Sequence, residues 1–484
     1  MDRPGVLREG VDGGGVHVRD WRYRIGHPAE IMYAALCDRH QVSLHIPLRE
    51  PPWTPATMKC MTSPAPPFSV ALPHERDVAY RNWSGSVRFT AALRVCPRTE
   101  EEVAEIVRKA AEHRHTVRPV GSGHSSTPLM KSDDVLLSLD ELSGVVSHDA
   151  DAGLATVLPG TGLASLGKQL ADVGLALQNL GDVDYQAIAG AVGTGTHGTG
   201  ESLGNLSSFL VGGRLVTGTG EIVPFGVDAG ESADPESLSD LTRAAQVSLG
   251  ALGVLTSLTF AVRPAHHLHR RNVMTRIDWA LEHFDELARS YRHVDLYWYP
   301  RSDRAQIRVV DEPGRLDDLA DPGQVKTEER GPSYEILPNH REIRFDEMEY
   351  MLPRESGWDV FGEVRTRVKA RHRSEVAWRV LLRTIAPDRA MLSNAQGRPT
   401  MTIALLHNAD LPYEEYFGDL EPVFLDAGGR PHWGKKHGQT HASLQGMYPD
   451  WDRFRSLRQR LDPAGVFLND YLKDLLGEGG RTDD

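Results

Sequence analysis

The β-branched run Thr116-Val117-Arg118-Pro119-Val120 reads as a strand, and it gives way at once to Gly121-Ser122-Gly123-His124-Ser125-Ser126. Two glycines at a strand end allow a backbone turn that a Cβ would forbid. Such a turn aims several N–H groups at one bound group and holds the histidine and its neighbouring hydroxyls beside it. A Gly-flanked histidine is common on protein surfaces, so the hexapeptide takes its meaning from the rest of the chain.

A second glycine-rich segment runs Gly190-Ala191-Val192-Gly193-Thr194-Gly195-Thr196-His197-Gly198-Thr199-Gly200. Gly193, Gly195 and Gly198 spell G-x-G-x-x-G, the dinucleotide fingerprint, which needs a buried strand before it and a helix straight after. Gly181 to Gln186 is no buried strand. On the other side, Leu210 to Phe225 alternates around Gly218-Thr219-Gly220 as a hairpin does. An NAD-binding Rossmann unit is therefore rejected. A glycine-threonine loop leading into antiparallel sheet can still cradle a pyrophosphate with amides and hydroxyls.

The 484 residues suffice for two or three domains. A net charge of -13 with no long basic run argues against an electrostatic nucleic-acid binder and leaves room for local basic patches only. Cys37, Cys60 and Cys96 have neither metal-ligand spacing nor a disulfide framework, no apolar run reaches membrane length and no secretory signal opens the chain, so a cytoplasmic protein without a metal site is expected. Residues 1–80 read as a proline-rich extension, poorly ordered by composition, with a short helix near 29–36 and Met58 or Met61 as candidate starts. Beyond Arg81 the periodicity predicts helices over 100–110, 163–173, 237–249, 279–291, 358–372 and 451–461. Strands are predicted near 135–139, 155–158, 254–260, 296–299, 307–310, 376–386 and 400–407, with a polar loop over 311–347.

Taken in order, Asn82-Trp83, Val120 to Ser125, Gly195 to Gly200, Leu252-Gly253-Val254, His432-Trp433-Gly434-Lys435 and the terminus from Asp462-Pro463 to Leu472 resemble the aldonolactone oxidase and alditol oxidase branch of the vanillyl-alcohol-oxidase flavoproteins. The resemblance implies an α+β fold: a two-subdomain PCMH-type FAD-binding domain over 81–263, completed by 428–484, and an α+β cap with an antiparallel sheet over 264–427. It implies FAD bonded covalently through His124 and held by Gly121, Ser122, Gly123, Ser125, Ser126, Gly190, Gly195, Thr196, Gly198, Thr199, Gly200 and the backbone at Val254, with His197 as a structural support. It also implies Lys435, Arg383 and His407 as catalytic groups, with Ala187, Arg383, His432 and Lys435 around the substrate.

In this family an alcohol C–H delivers hydride to flavin N5 and the hydroxyl loses its proton, so a cation at Lys435 favours the developing alkoxide. Three positions depart from the sugar-alcohol members: Leu381 replaces a glutamate two residues before Arg383, Ala187 a serine, and Ala409 a threonine. Glu363-Val364-Arg365 has the missing letters, but its helical spacing marks a solvated face. The expected activity is FAD-dependent oxidation of a CH–OH group on a sugar alcohol, sugar lactone or modified sugar, with O2 as the electron acceptor. The alternatives are a dehydrogenase using another acceptor and a flavin-binding protein that has lost turnover.

Overall fold

The computed structural model describes residues 72–317, 319, 323–341, 343–376 and 378–478; the expected helix near 29–36 and most of the expected extension lie outside the described residues. Strand β1 (His74–Arg81) runs antiparallel to β2 (Arg88–Val95), so a paired strand occupies the end of the segment read as an extension. Helix α1 (Glu100–His113) starts where Thr99 Oγ1 accepts the Glu102 N–H at 3.2 Å, and Val103, Ile106, Val107 and Ala110 all face the core. Strands β3 (Val117–Val120) and β4 (Val135–Ser138) pair in parallel and give a sheet in the order β1-β2-β4-β3.

The next elements are β5 (Val145–Asp149), β6 (Leu154–Val157), α2 (Leu163–Asp172), β7 (Leu175–Ala176), α3 (Ile188–Gly193), β8 (Leu210–Val216), β9 (Ile222–Gly226), α4 (Asp240–Ala245) and β10 (Val254–Ala261). An antiparallel sheet results, in the order β5-β6-β10-β8-β9, with β8 and β9 as the expected hairpin. The helix predicted over 237–249 stops at Ala245. The chain instead turns through left-handed backbone at Leu249 (φ 55) and Gly250 (φ 62), which brings this loop to the wall of a large cavity.

After β11 (Arg263–Pro264), which pairs with β7, a third sheet forms. Its elements are β12 (His267–Arg276), α5 (Ile277–Ser290), β13 (His293–Tyr299), β14 (Arg304–Asp311), β15 (Gln324–Pro332), α6 (Ser333–Ile336), β16 (Phe345–Pro353), α7 (Gly357–Arg367), β17 (Val380–Ile385), β18 (Thr400–Asn408), α8 (Glu414–Asp426) and β19 (Arg430–Pro431). The order is β15-β12-β14-β13-β17-β18-β16-β19. The segment 311–347, predicted as a polar loop, holds β15, α6 and the start of β16. Strand β15 is an exposed edge carrying Lys326, Glu328, Glu329 and Arg330, so it shows no apolar alternation to read.

Phe284 of α5, Phe361 and Val364 of α7, and Leu420 and Phe424 of α8 cover one face of this sheet, packing on Leu296, Trp298, Leu382, Ile403, Leu405, Met348 and Tyr350. Side chains alternate along a strand, so Tyr297, Leu381, Arg383, Glu347 and Glu349 fall on the other face. That face is the one turned to the site.

Helices α9 (His441–Leu444), α10 (Trp451–Leu461) and α11 (Asp470–Leu476) carry the chain back to the first sheet. The Asp462 carboxylate accepts the N–H groups of Val466 (2.8 Å) and Phe467 (2.9 Å), and Val466 O in turn accepts the Val117 N–H at 2.8 Å. The buried Arg118 guanidinium donates to the carbonyls of Leu129, Leu249, Gly250 and Phe467, tying three distant segments to β3. Among the described residues no helix is long and apolar enough to cross a membrane.

Candidate active site

The turn after β3 is shaped by its two glycines. Gly123 has φ +64, and a Cβ there would lie 2.2 Å from Tyr80 Oη; a Cβ on Gly121 would lie 2.7 Å from Ala187 Cβ. Asn82 Nδ2 donates to Ser125 O (2.9 Å) and Trp83 N–H to Gly123 O (2.8 Å), which accounts for the Asn-Trp pair upstream. The Trp83 ring stacks on His124 at 4.5 Å, and His124 Nε2 is buried with no hydrogen-bond partner. Burial, reinforced by the nearby Lys435 charge, pushes the His124 pKa down to about 4. The imidazole is therefore neutral at pH 7, with a free nitrogen lone pair.

His124 stands where two cavities meet. The first, about 890 Å³, is lined by Gly121 to Ser125, Gln186, Ala187, Gly190, Gly193, Thr194, Ser248 to Gly250, Gly253 and Leu255. The second, about 730 Å³, is lined by Ser126, Asp182, Thr196, His197, Phe345, Glu347, Leu381, Arg383, Leu406, His432 and Lys435, and shares His124, Ser125, Gln186 and Thr194 with the first. A long groove walled by backbone amides and small residues, with an orphaned imidazole nitrogen midway, fits an extended flavin dinucleotide. Ser126 N–H donates to Gly434 O (2.7 Å) and Thr127 Oγ1 to Trp433 O (2.8 Å), which pins the His-Trp-Gly-Lys loop to the first glycine turn.

The second glycine segment divides between two tasks. Gly190, Gly193 and Thr194 line the first cavity and Thr196 the second. Gly195, Gly198, Thr199 and Gly200, expected to hold the cofactor, line neither. A Cβ on Gly198 would lie 2.3 Å from Leu180 O, Thr199 Oγ1 donates to Val294 O (2.6 Å) and Gly200 N–H to Thr384 O (2.8 Å). These residues are small because the segment passes tightly against β13 and β17. At Val254 the expectation concerned the backbone: its side chain is in the core, and Gly253 and Leu255 on either side of it line the cavity.

The second cavity rests on a buried charge network that the sequence reading misses. Glu349 of β16, 0% exposed, pairs with Arg383 at 2.6 Å, with Lys435, and with His197 Nε2 at 3.3 Å. Glu347, on the same face, meets Lys435 Nζ at 2.8 Å. Backbone bonds from His432 N–H to Glu349 O (2.9 Å) and from Lys436 N–H to Glu347 O (2.8 Å) fix Lys435 between the two carboxylates. Burial works against the Glu349 charge, but Arg383 and Lys435 outweigh it and hold the carboxyl well below its usual range. Asp182, on the far wall, pairs with Arg341 at 2.6 Å and accepts from Asn339 Nδ2 at 2.7 Å. Phe345, flanked by Trp83 and Trp378, supplies an apolar side.

His197, Glu349 and His432 bring potential ligand atoms within 4.8 Å of one another, but Arg383 and Lys435 already sit on the same carboxylate and oppose a metal cation there. His197 has both ring nitrogens engaged, by Gly198 O (3.0 Å) and Glu349, consistent with a supporting role.

Four further expectations need correction. His407 does not face the second cavity: β18 alternates, so Leu406 lines that cavity and His407 packs on Tyr416 and Phe417 of α8. Ala187 lines the first cavity and not the second. Ala409 lines neither and hydrogen-bonds Arg344 O at 3.3 Å. The carboxylate absent at Leu381 is not the only one this face could carry: β16 places Glu347 in the lining of the second cavity and Glu349 behind its wall. Their signal is the strand-like alternation of Glu347, Met348, Glu349 and Tyr350, which the surrounding charged residues mask. Glu363 and Arg365 lie on α7, away from both cavities, as their spacing predicts.

The chain matches the FAD binding domain family over residues 91–226 and the D-arabinono-1,4-lactone oxidase family over residues 315–475. It is 37% identical over 435 residues to the L-gulono-1,4-lactone dehydrogenase of Mycobacterium tuberculosis, covering 82% of this chain and 99% of that one. It is 30% identical over 441 residues to the alditol oxidase of a Streptomyces species, covering 82% and 99%. Bovine L-gulonolactone oxidase is 26% identical over 439 residues, covering 82% and 98%. The fold is that of cholesterol oxidase from B. sterolicum, with a TM-score of 0.72 at 17% identity over 85% of this chain and 99% of that one. Motif order, paired cavities and these relatives agree: the chain belongs to the aldonolactone and alditol oxidase branch of the PCMH-type flavoproteins and is an FAD-dependent oxidoreductase acting on CH–OH groups of sugar-derived substrates.

Proposed function

We propose that the first cavity holds FAD, that the second holds a sugar lactone, and that His124 at their junction is the covalent attachment point. The observation that carries this is the shared lining: His124, Ser125, Gln186 and Thr194 wall both cavities, so a group that reaches His124 from the first meets the groups around Lys435 in the second. We divide the chain into a cofactor unit, 81–263 with 428–484, and a substrate unit, 264–427, because the Arg118 and Val466 contacts return the C-terminus to the cofactor side. FAD, when bound, accepts the hydride released by the substrate carbon.

Lys435 and Arg383 present positive charge to substrate oxygen, which suits both a developing alkoxide and the carbonyl of a lactone ring. Glu349 holds both cations in place, and His432, its Nδ1 taken by the Gly434 N–H at 3.1 Å, supports the same wall. A lactone is favoured over an open polyol by the apolar side at Phe345, Leu381 and Leu406 and by the 37% identical lactone dehydrogenase. The bovine and Streptomyces oxidases support O2 as acceptor, and the mycobacterial dehydrogenase supports a second reading in which another acceptor serves. The free thiol of Cys96 is consistent with the cytoplasm.

Anaerobic bleaching of the flavin by a panel of lactones, polyols and glycosides tests the substrate, and bleaching by polyols alone would overturn the lactone assignment. Oxygen uptake with matching peroxide decides the acceptor. Lys435→Met is expected to slow bleaching while the protein stays yellow.

A further inference from the structure

Oxidising an alcohol releases a hydroxyl proton as well as a hydride, and the carboxylates of β16 raise the question of what receives it. The second cavity offers few candidates. Asp182 is committed to Arg341, to Asn339 and to Tyr297, whose hydroxyl donates at 3.2 Å. Burial opposes its charge, but Arg341 and Arg308 prevail and leave it a weak base. His197 is buried against Gly198 O and Glu349, and burial with the Arg383 charge holds its pKa below the ordinary histidine value. Burial and the Lys435 charge hold His432 well below the ordinary histidine value. Glu349 lies behind the cavity wall under two cations and an imidazole.

Glu347 differs from all of these. It lines the cavity, its side chain keeps 13% exposure, and Lys435 is its one ion-pair partner among the described residues. Burial raises its pKa, and the neighbouring Glu349 charge adds to that against the pull of Lys435. It is thus the cavity carboxylate with the strongest appetite for a proton, on a side chain not fully sealed from solvent.

We propose that Glu347 is the catalytic base, receiving the substrate hydroxyl proton beside Lys435. The O–H bond breaks and its proton passes to a Glu347 oxygen; the C–H bond breaks and its hydrogen leaves with the electron pair as hydride for the bound flavin; the carbon–oxygen double bond forms. The proposal rests on the second cavity being the substrate site.

The test uses the holoenzyme with L-gulono-1,4-lactone as probe, followed by the shift the lactone causes in the flavin absorption spectrum and by anaerobic reduction across pH. In the wild type the reduction rate should fall with a one-proton limb as pH drops through the Glu347 value. Glu347→Gln should bind the lactone within about tenfold of wild type but reduce about 10²- to 10⁴-fold more slowly, with that limb gone. Glu347→Asp should retain the limb. A Glu347→Gln protein that keeps both rate and limb overturns the assignment of the base while leaving the substrate site intact. A wild type with no lactone-induced spectral shift overturns the substrate site and this proposal with it.

Discussion

Arg383 on β17 reaches across β18 to Glu349 on β16, and the pair closes at 2.6 Å with both side chains buried. Removing one member of such a pair strands the other charge, whereas an isosteric neutral group keeps part of the hydrogen bonding. Glu349→Leu should lower unfolding stability by about 3–5 kcal/mol. Adding Arg383→Met to it should recover part of the loss, because the two effects are not independent. Urea denaturation of the two single variants and the double variant checks this, and strict additivity would show that the charges do not depend on each other.

The neutral His124, stacked under Trp83, is the proposed attachment point. His124→Ala should still bind FAD through the amides of the first cavity, but acid precipitation should leave the pellet colourless and the denatured gel band without flavin fluorescence. Yellow pellets from that variant would move the attachment elsewhere.

What the sequence made legible was set by local chemistry. The glycine turn and the Asp462-Pro463 terminus announce themselves because each does its work within a few residues of itself, through backbone N–H groups and tight turns, whereas Asn82-Trp83, whose partners Ser125, Gly123 and His124 are distant in sequence, was legible through the resemblance alone. The apolar period gave α1, α2, α5 and α10 for the same reason. Glu347 and Glu349 stayed hidden because β16 lies in a charged segment, and a buried carboxylate looks like a solvated one until its partners on β17 and at Lys435 are placed. The small residues from Gly195 to Gly200 were misassigned for the converse reason: tight packing and ligand contact both demand glycine, and only the neighbouring chain tells them apart.

Acid should weaken this fold earlier than carboxylate titration alone would do. Burial pushes His293 down to about 3 and His437 and His124 to about 4. Each folded value lies below the unfolded one of about 6.5, so the associated stability is present above that pH. It drains as pH falls toward the folded values, by at most about 1.4 kcal/mol per unit for each ring. Asp388, raised by burial to about 6, acts in the opposite sense, as do the raised carboxyls of Asp295, Glu347 and Asp462, but the imidazoles lowered by burial, with His197, His266, His407 and His432 added to these three, outnumber them. Denaturation midpoints should therefore drop between about pH 7 and about pH 5. A flat profile over that window would mean the histidines are protonated or hydrated in the folded protein.

Ala187 offers a way to separate the two cavities. It caps α3 from the cofactor side, and its Cβ is the atom that a side chain on Gly121 would strike. Ala187→Ser adds a hydroxyl to this packed wall, so FAD retention or the flavin spectrum should change while the ranking of substrates does not. A changed ranking with an unaltered spectrum would return residue 187 to the substrate.

His407 and Leu406 make the sharpest test of register, since a one-residue shift on β18 exchanges the cavity for the helix layer. His407 packs against Tyr416 at 5.9 Å and Phe417 at 6.5 Å between ring centres, with Nδ1 buried and unpartnered. His407→Ala opens a hole beneath α8 and should lower stability by roughly 1–3 kcal/mol. Flavin reduction by substrate should stay within about twofold of wild type, because the lost ring is on the far face of the sheet. Leu406→Ala enlarges the cavity itself and should raise KM or alter the substrate ranking. A His407→Ala protein of unchanged stability whose flavin is no longer reduced would place that imidazole at the substrate and put Leu406 in the core.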